Sequence, residues 1–375
     1  MIPFNHPYFT GHELGFMSEA IQSARVSGDG PFSRRCESFL TARYGLAKGL
    51  LTTSCTDALE MAALLCDIRP GDEVILPSFT FVSTANAFVL RGAHLKFVDS
   101  LPEHPNLNPD LIEPLISNRT RVLIAVHYAG VACDMDPILR LAKAHDLRVV
   151  EDAAQGIEST YKGHPLGAIG DLGTFSFHET KNIHCGEGGL LAVNDPNLTS
   201  RAEIIREKGT NRSAFFRGEV DKYGWVDIGS SFLPSDLLAA MLWSQIENLE
   251  SIQTHRMVIW NRYLDNLAEL TSKGWAALPS IPEFAGHNAH SFYLVLDSIE
   301  TRSALIAYLK RQGVMAVFHY QSLHGSPFFQ AQHDGRILPY ADHYSDCLVR
   351  LPLFVGLTMA EQDFIVEQVL RFFRG

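Results

Sequence analysis

Short apolar runs separated by amphipathic segments occupy the first half of the chain. Helical segments are predicted between these runs, for example at residues 82–90 and 136–145. Four of the runs are typical of buried strands, at residues 73–76, 94–98, 122–126 and 147–150. Strands that alternate with helices are joined by crossover connections, so the pattern predicts an α/β fold with a mostly parallel central sheet.

The pattern changes in the last third of the chain. Residues 246–270 predict one long helix with an apolar face, and after Gly274 the strands and helices no longer alternate regularly. Further elements are predicted at 290–296, 302–311, 315–318 and 360–373. Residues 351–354 read as a short edge segment. We therefore expect a large α/β domain with an N-terminal arm over residues 1–249 and a smaller α+β domain over residues 250–375.

A predicted strand runs directly into a predicted helix in the segment GLLTTSCTDALEMAALLC. The strand covers residues 50–53, a tight turn follows, and the helix covers residues 58–66. A helix N-terminus offers free backbone N–H groups and the positive end of the helix dipole, and Ser54 and Thr56 add hydroxyl donors. The turn is a candidate phosphate site, although ordinary helix capping explains the same residues equally well.

One lysine, Lys181, lies between two predicted strands in DLGTFSFHETKNIHCGEGG. The glycines that follow it allow backbone segments to approach closely. Taken alone, a lysine in such a loop is more often a solvated turn residue than a reactive amine. The neighbouring histidine, cysteine and acidic residues have no zinc-ligand spacing, so no metal site is expected.

An acidic residue follows the predicted strand at 147–150 in the segment VVEDAAQ. In parallel sheets, ligands bind beyond the carboxyl ends of the strands, so Asp152 is placed to reach one. A helix N-cap is the plain alternative. Four features together are what pyridoxal phosphate (PLP) requires of a protein: Lys181, Asp152, the hydroxyl-rich turn and the aromatic Phe81. This cofactor needs an amine, a carboxylate for its ring nitrogen, a phosphate site and a stacking partner.

Composition restricts the function classes. The chain has 375 residues, 46% apolar and 19% charged, and a net charge of −11 with no long basic run, so nucleic-acid binding is not expected. No apolar run approaches the ~20 residues of a membrane span, and the N-terminus does not resemble a signal peptide. The six cysteines have no regular spacing, which is typical of reduced thiols in a cytoplasmic protein.

Several motifs together resemble the DegT/DnrJ/EryC1/StrS family of sugar aminotransferases. These are FSFHETK followed by GEGG, with EDAAQ upstream and PSFTFVSTAN before that. The similarity extends from IPFNHP to HYQSLHGSP, essentially the whole chain. It implies a fold-type I, aspartate-aminotransferase-like enzyme that uses PLP. It also implies a homodimer with shared active sites, L-glutamate as amino donor giving 2-oxoglutarate, and a nucleotide-linked keto sugar as acceptor.

The resemblance also assigns roles to individual residues. Lys181 matches the Schiff-base lysine, Asp152 the partner of the pyridinium nitrogen, and Gln155 a group near the phenolic oxygen. Phe81 matches the stacking aromatic. Phosphate contacts are matched by Ser176, Thr56 and the backbone of Cys55, and Ser231 stands where the family's partner subunit usually supplies an asparagine. His319 and Tyr320 match a family position near the sugar, with local structural hydrogen bonding as the alternative. The pyrophosphate of a sugar nucleotide needs cations, and the candidates are Arg34, Arg212, Arg217 and Lys222, each of which is more often a plain surface charge.

Three competing functions remain to be weighed. Sugar dehydratases of this family replace the lysine with histidine, and the chain keeps Lys181, which favours transamination. A non-catalytic regulator with this fold would usually lack Lys181 or Asp152, or carry a DNA-binding module. A Rossmann-type oxidoreductase would show a glycine fingerprint, which the sequence lacks.

Overall fold

The computed structural model describes all 375 residues. Thirteen strands are present: β1 (Lys48–Thr52), β2 (Glu73–Pro77), β3 (His94–Val98), β4 (Thr120–Val126), β5 (Arg148–Asp152), β6 (Thr160–Tyr161), β7 (His164–Pro165), β8 (Leu172–Ser176), β9 (Gly189–Val193), β10 (Ala285–Gly286), β11 (Phe292–Val295), β12 (Val317–Phe318) and β13 (Leu348–Leu351). Thirteen α-helices accompany them: α1 (Glu13–Gln22), α2 (Pro31–Tyr44), α3 (Cys55–Leu65), α4 (Val82–Val89), α5 (Met135–His145), α6 (Thr199–Arg206), α7 (Arg212–Phe216), α8 (Asp236–Glu247), α9 (Leu249–Asn266), α10 (Ala268–Ser272), α11 (Ile299–Arg311), α12 (Pro339–Cys347) and α13 (Met359–Arg374).

Seven strands form the central sheet in the order β1-β9-β8-β5-β4-β2-β3. Only β9 runs against its neighbours, being antiparallel to β1 and β8. The predicted mostly parallel α/β sheet is therefore confirmed. Because β9 is reversed, its first residue, Gly189, lies at the same edge as Thr52, Asp152 and Ser176, the last residues of β1, β5 and β8. Strand direction alone gathers these residues at one edge.

The helix that follows β1 starts three residues earlier than predicted. It begins at Cys55 because the Ser54 hydroxyl accepts a hydrogen bond from the Asp57 N–H at 3.0 Å and caps it. The Asp57 carboxylate does not cap the helix and accepts a hydrogen bond from the Thr53 hydroxyl. Asp152 likewise differs from the prediction, because it is the last residue of β5 rather than a residue beyond the strand.

The predicted long helix over residues 246–270 is wrong, because α8, α9 and α10 divide that stretch. Asn248 separates α8 from α9 and leaves the helical conformation at φ −107° and ψ 9°. Its side-chain N–H donates to the Ser244 carbonyl at 2.8 Å, which satisfies one of the free carbonyls at the end of α8.

A second, antiparallel sheet in the last third has the order β11-β13-β12. The central strand of this sheet covers Leu348–Leu351 and has a hydrogen-bonded neighbour on each side. The edge segment predicted at residues 351–354 is therefore wrong, because only Leu351 of it belongs to a strand. A separate hydrophobic cluster packs around this sheet, drawn from buried residues between 259 and 369. The domain boundary at residue 249/250 stays a prediction.

The N-terminal arm is bound to this C-terminal part. The Ile2 N–H donates to the Gly313 carbonyl at 2.7 Å, and the Met315 N–H donates to the Ile2 carbonyl at 3.0 Å. A third small sheet has the order β10-β6-β7. No helix of the protein combines the length and the apolar character that crossing a membrane requires.

Candidate active site

A cavity of about 810 Å³ opens at the carboxyl edge of the central sheet. Its wall combines the N-terminus of α3, the loop before α4, the ends of β5 and β8, and the loop that carries Lys181. The C-terminal part contributes the opposite wall through His290, His319, Tyr320 and Arg350, and the N-terminal arm adds Phe4. Segments far apart in the chain therefore form one site.

The N-terminus of α3 forms one end of the cavity. The N–H groups of Cys55 and Thr56 have no acceptor within their own helix, so they are available to an anion there. Gly189 packs directly against this turn, since a Cβ at that position would come 2.5 Å from the Cys55 nitrogen. Ser176 ends the neighbouring strand and lines the same cavity. This end is a positively polarised, hydroxyl-lined anion site.

Asp152 is buried and only 6% exposed, and its carboxylate is held from two sides. The Thr84 hydroxyl donates to Oδ2 at 2.6 Å, and the Ala154 N–H donates to Oδ1 at 3.1 Å. Thr84 in turn is 2.9 Å from the Thr80 hydroxyl. No basic side chain pairs with this carboxylate, so a cationic ligand group can complete its surroundings.

Lys181 lies in the cavity wall, on the loop between β8 and β9. Burial lowers the pKa of the Lys181 amine, while the nearby Asp152 carboxylate opposes that shift. Its backbone N–H donates to the His178 carbonyl at 2.9 Å, which holds the turn. A lysine with a lowered pKa is available as a neutral amine for nucleophilic and proton-transfer chemistry.

A cluster of aromatic and amide side chains lines the same cavity. The Gln155 side-chain N–H donates to the Tyr320 hydroxyl at 3.0 Å, and its carbonyl accepts from the Ala129 N–H at 2.6 Å. Phe81 is 53% exposed, with its ring centroid 5.9 Å from that of Tyr320. His319 Nδ1 lies 3.0 Å from the Tyr128 hydroxyl, and burial lowers the pKa of His319, which favours its neutral form.

The structure does not bring every predicted residue to this cavity. Ser231 is exposed and lies outside the cavity wall. Arg212 pairs with Glu207 at 3.1 Å, and Arg217 pairs with Glu203 at 2.8 Å. Arg34 and Lys222 also lie outside the wall, and the Arg34 guanidinium donates to the Asp29 carbonyl.

Several residues of the cavity wall carry no sequence signal that we recognised. Arg350 and His290 come from the C-terminal part, Phe4 and Asn5 come from the arm, and Thr84 supports Asp152. Their positions depend on contacts distant in the chain. The VSTAN segment marked the start of α4, but the contact between Thr84 and Asp152 follows only from the packing of α4 against β5. No cluster of three or more histidine, cysteine, aspartate or glutamate side chains has a metal-binding arrangement.

One cavity at the carboxyl edge of a mostly parallel sheet contains three groups. They are a lysine with a lowered pKa, a buried carboxylate held by two hydrogen bonds, and an anion site at a helix N-terminus. This combination defines an α/β enzyme that performs group transfer through an amine and a phosphorylated ligand. The chain belongs to the DegT/DnrJ/EryC1/StrS aminotransferase family, whose model matches residues 9–370. The predicted family, fold class, enzyme class and PLP cofactor are confirmed.

Known relatives match over nearly their full length. Spore coat polysaccharide biosynthesis protein SpsC of Bacillus subtilis is 30% identical over 100% of this chain and 97% of its own. The putative sugar aminotransferase Spr1654 from Streptococcus pneumoniae, solved in its PMP-form, is 25% identical with a TM-score of 0.92, covering 99% of both chains. It is also solved in its PLP-form. DesV of S. venezuelae, solved with a ketimine intermediate, is 29% identical with a TM-score of 0.89, covering 99% of this chain and 98% of its own.

Proposed function

We propose that this protein transfers an amino group from L-glutamate to the C4 keto group of a dTDP-4-keto-6-deoxy sugar. The product is dTDP-4-amino-4,6-dideoxygalactose, and pyridoxal phosphate is the cofactor. The observation that carries the proposal is the meeting of Lys181, Asp152 and the N-terminus of α3 in one cavity. Family membership and the PLP- and PMP-forms of the Streptococcus relative support it.

The cavity residues fit this cofactor group by group. The N–H groups of Cys55 and Thr56, with the Ser176 hydroxyl, would hold the phosphate. Asp152 would face the ring nitrogen, because it is a buried carboxylate that no basic side chain neutralises. Gln155 would lie near the phenolic oxygen, and the exposed face of Phe81 would stack on the ring.

When bound, pyridoxal phosphate supplies an aldehyde that reacts with amines and an electron-poor ring that accepts the electron pair of a broken bond. Asp152 keeps the ring nitrogen protonated and so maintains its electron-withdrawing character. Thr84 and the Ala154 N–H hold that carboxylate in place. Because Asp152 sits at the end of a strand, its position is fixed by the sheet.

Lys181 is proposed to move the protons. Its lowered pKa makes the neutral amine accessible, so Nζ can take the proton from the α-carbon of glutamate as a general base. Nζ would pass that proton to the cofactor carbon that bears the transferred nitrogen, and in the second half-reaction it would return a proton from that carbon to C4 of the sugar. His319 and Tyr320, in the cavity wall from the C-terminal part, are candidate sugar contacts.

The choice of sugar nucleotide is supported by two sequence segments. KGTNRSAFFRG, at residues 208–218, and DIGSS, at residues 227–231, resemble those of dTDP-4-amino-4,6-dideoxygalactose transaminase. We therefore place the activity in surface polysaccharide synthesis, in particular of enterobacterial common antigen. The same chemistry with the opposite C4 configuration, giving 4-amino-4,6-dideoxyglucose, is the alternative product.

We also propose a homodimer with shared sites, acting in the cytoplasm. Large apolar side chains are exposed beside the two segments, with Phe216 67% and Trp225 84% exposed, which is typical of an interface. In such a dimer, Ser231 would reach the cofactor phosphate of the partner, and Arg212 or Arg217 could face the sugar nucleotide. All six cysteines are free, which agrees with a reducing location.

Incubation with dTDP-4-keto-6-deoxyglucose and L-glutamate tests the proposal. We expect formation of 2-oxoglutarate and an amino sugar whose C4 configuration is that of galactose, assigned by NMR. An equatorial amine would instead establish the glucose epimer. Formation of neither product with PLP-loaded protein would contradict the proposed reaction. The Lys181→Ala variant provides the matched negative control.

A further inference from the structure

The cavity wall contains a buried histidine with one ring nitrogen that no group of the chain uses. His290 is 8% exposed, lines the cavity and lies just before β11. Its Nδ1 is 2.9 Å from Oδ1 of Asn182, the residue next to Lys181. Its Nε2 forms no hydrogen bond with the chain and is not fully covered by protein atoms. The free nitrogen is therefore open to a ligand in the cavity.

The surroundings of Asn182 determine which nitrogen of His290 carries the hydrogen. The Asn288 carbonyl can only accept, so the Asn182 amide must direct its nitrogen toward it, at 2.9 Å. The same amide nitrogen also donates to Oε1 of Gln253 at 3.1 Å. Oδ1 of Asn182 is thus an acceptor that faces His290. A neutral imidazole must place its hydrogen on Nδ1 to bond with it, which leaves Nε2 with a free lone pair.

His290 is kept neutral and fixed in direction. Burial lowers the pKa of His290 well below 6.5, and the positive charges of Lys181, Arg256 and Arg350 act in the same sense. Its backbone N–H donates to Oδ1 of Asn288 at 3.0 Å, and its carbonyl accepts from Arg256 at 2.8 Å. Near neutral pH, the cavity wall therefore presents a hydrogen-bond acceptor whose orientation is set before a ligand arrives.

Substrate chemistry distinguishes the ligands that suit such an acceptor. The carboxylates of L-glutamate carry no hydrogen at neutral pH, and its amino group is the one that the cofactor takes up. The hexose of a sugar nucleotide has hydroxyl groups, which can donate. We propose that Nε2 of His290 accepts a hydrogen bond from a hexose hydroxyl of the sugar nucleotide and so orients the sugar in the cavity. The inference rests on the proposed function, because it assigns a contact for the acceptor substrate of that reaction.

The His290→Asn variant separates the roles of the two ring nitrogens. Its amide nitrogen can replace Nδ1 as the donor to Asn182, whereas nothing replaces Nε2. The ligand is dTDP-glucose, which has hexose hydroxyls but no keto group, so calorimetric titration of PLP-loaded protein requires no turnover. We expect the variant to bind dTDP-glucose about 2- to 12-fold more weakly, the range for one neutral hydrogen bond, and to bind dTDP as the wild type does. His145→Asn, at an exposed histidine of α5, is the matched control and should bind both ligands like the wild type.

Other nucleotides separate a failure of the inference from a failure of the proposed function. If the wild type binds UDP-glucose or GDP-mannose but not dTDP-glucose, the proposed nucleotide is wrong, and the same comparison is made with the ligand that binds. Equal binding of that ligand to the wild type and to His290→Asn would overturn the inference, as would no binding of any of the three.

Two further outcomes would assign His290 to a different ligand group. Equal weakening for dTDP and dTDP-glucose would overturn the inference in favour of a contact with the nucleotide. A defect of His290→Asn confined to the L-glutamate half-reaction, followed through the visible absorbance of PLP-loaded protein, would overturn it in favour of a contact with the amino donor.

A measurement on the wild type keeps the inference testable if circular dichroism shows that His290→Asn does not fold. Diethylpyrocarbonate acylates accessible nitrogens of neutral imidazoles, and peptide mass spectrometry reports the acylation of each histidine. We expect the sugar nucleotide that the protein binds to prevent acylation of His290, whereas its nucleoside diphosphate, which leaves the hexose position empty, should not. His145 is the internal reference. Equal protection of His290 by both ligands, or protection by neither, would contradict the hexose contact.

Discussion

Basic side chains inside and outside the cavity differ in how their charge is balanced. Lys181 and Arg350 line the cavity, and neither forms an ion pair with a carboxylate of the chain. Arg212 and Arg217 lie outside it, and each pairs with a glutamate. Pairing neutralises a charge and restrains its side chain, whereas an unpaired charge in a cavity costs folding free energy that a bound ligand can offset. The difference separates groups available for chemistry from groups that stabilise the surface.

The largest effect is expected for Lys181→Ala. Removal of the amine deletes both the covalent partner of the cofactor and the group that moves protons, so turnover should fall by at least about 10³-fold. The visible absorbance of the bound cofactor should also be lost, as an absorption spectrum will show. Unchanged absorbance would remove Lys181 from this role. Lys143→Ala, at an exposed lysine of α5 outside the cavity, is the matched control.

Asp152→Asn is expected to have the next largest effect. The amide keeps the shape but replaces one acceptor oxygen with a donor and removes the charge that holds the ring nitrogen protonated, so turnover should fall by about 10²-fold or more. Circular dichroism should show an intact fold. Near-normal turnover, measured as 2-oxoglutarate release, would mean that another group supports the ring nitrogen.

Acid should destabilise the protein through its buried histidines. Burial lowers the pKa of His104 from 6.5 to about 3, and it lowers the pKa values of His290 and His319 well below 6.5. The unfolded chain therefore binds protons that the folded chain does not, so the stability they contribute is complete above pH 6.5 and is lost as pH falls toward the folded pKa values. Urea unfolding at pH 7.5 and pH 5 measures this loss. A free energy of unfolding that rises toward pH 5 would contradict it.

The smallest effect is expected for Arg217→Met. Its ion pair with Glu219 is exposed, and the buried Glu203 keeps Lys48 as a second partner, so stability should change by roughly 0–1 kcal/mol. The rate of the glutamate half-reaction should stay at its wild-type value. The KM of the variant for the sugar nucleotide should also be measured. A marked rise would show that Arg217 leaves its glutamates and binds pyrophosphate across a dimer.

Particular residues show how far the sequence could go. The apolar runs predicted the strands of the central sheet, because buried parallel strands are continuous apolar segments. Motif similarity identified Lys181, Asp152 and Phe81 as candidates, and the structure places all three in one cavity. The predicted start of α3 is three residues too late, because the Ser54 hydroxyl caps the helix. The local pattern does not show whether that hydroxyl or the Asp57 carboxylate forms the cap.

The residues that the sequence did not indicate share a physical reason. Arg350 lies just before the predicted edge segment, and nothing in its local pattern shows that its neighbours are uncharged. Thr84 contacts Asp152 across 68 positions of the chain. Contacts of this kind depend on how α4 packs against β5 and how β13 packs between two strands, which no local periodicity records.

The sequence alone predicted the fold class and identified Lys181 and Asp152 as candidates, because periodicity and motifs are local properties. Only the tertiary structure decided which charges are balanced. Whether an arginine is neutralised depends on the distance to a carboxylate elsewhere in the chain, and that distance is set by packing. Arg217 and Arg350 are the same residue type, yet one has its partners beside it and the other faces a cavity.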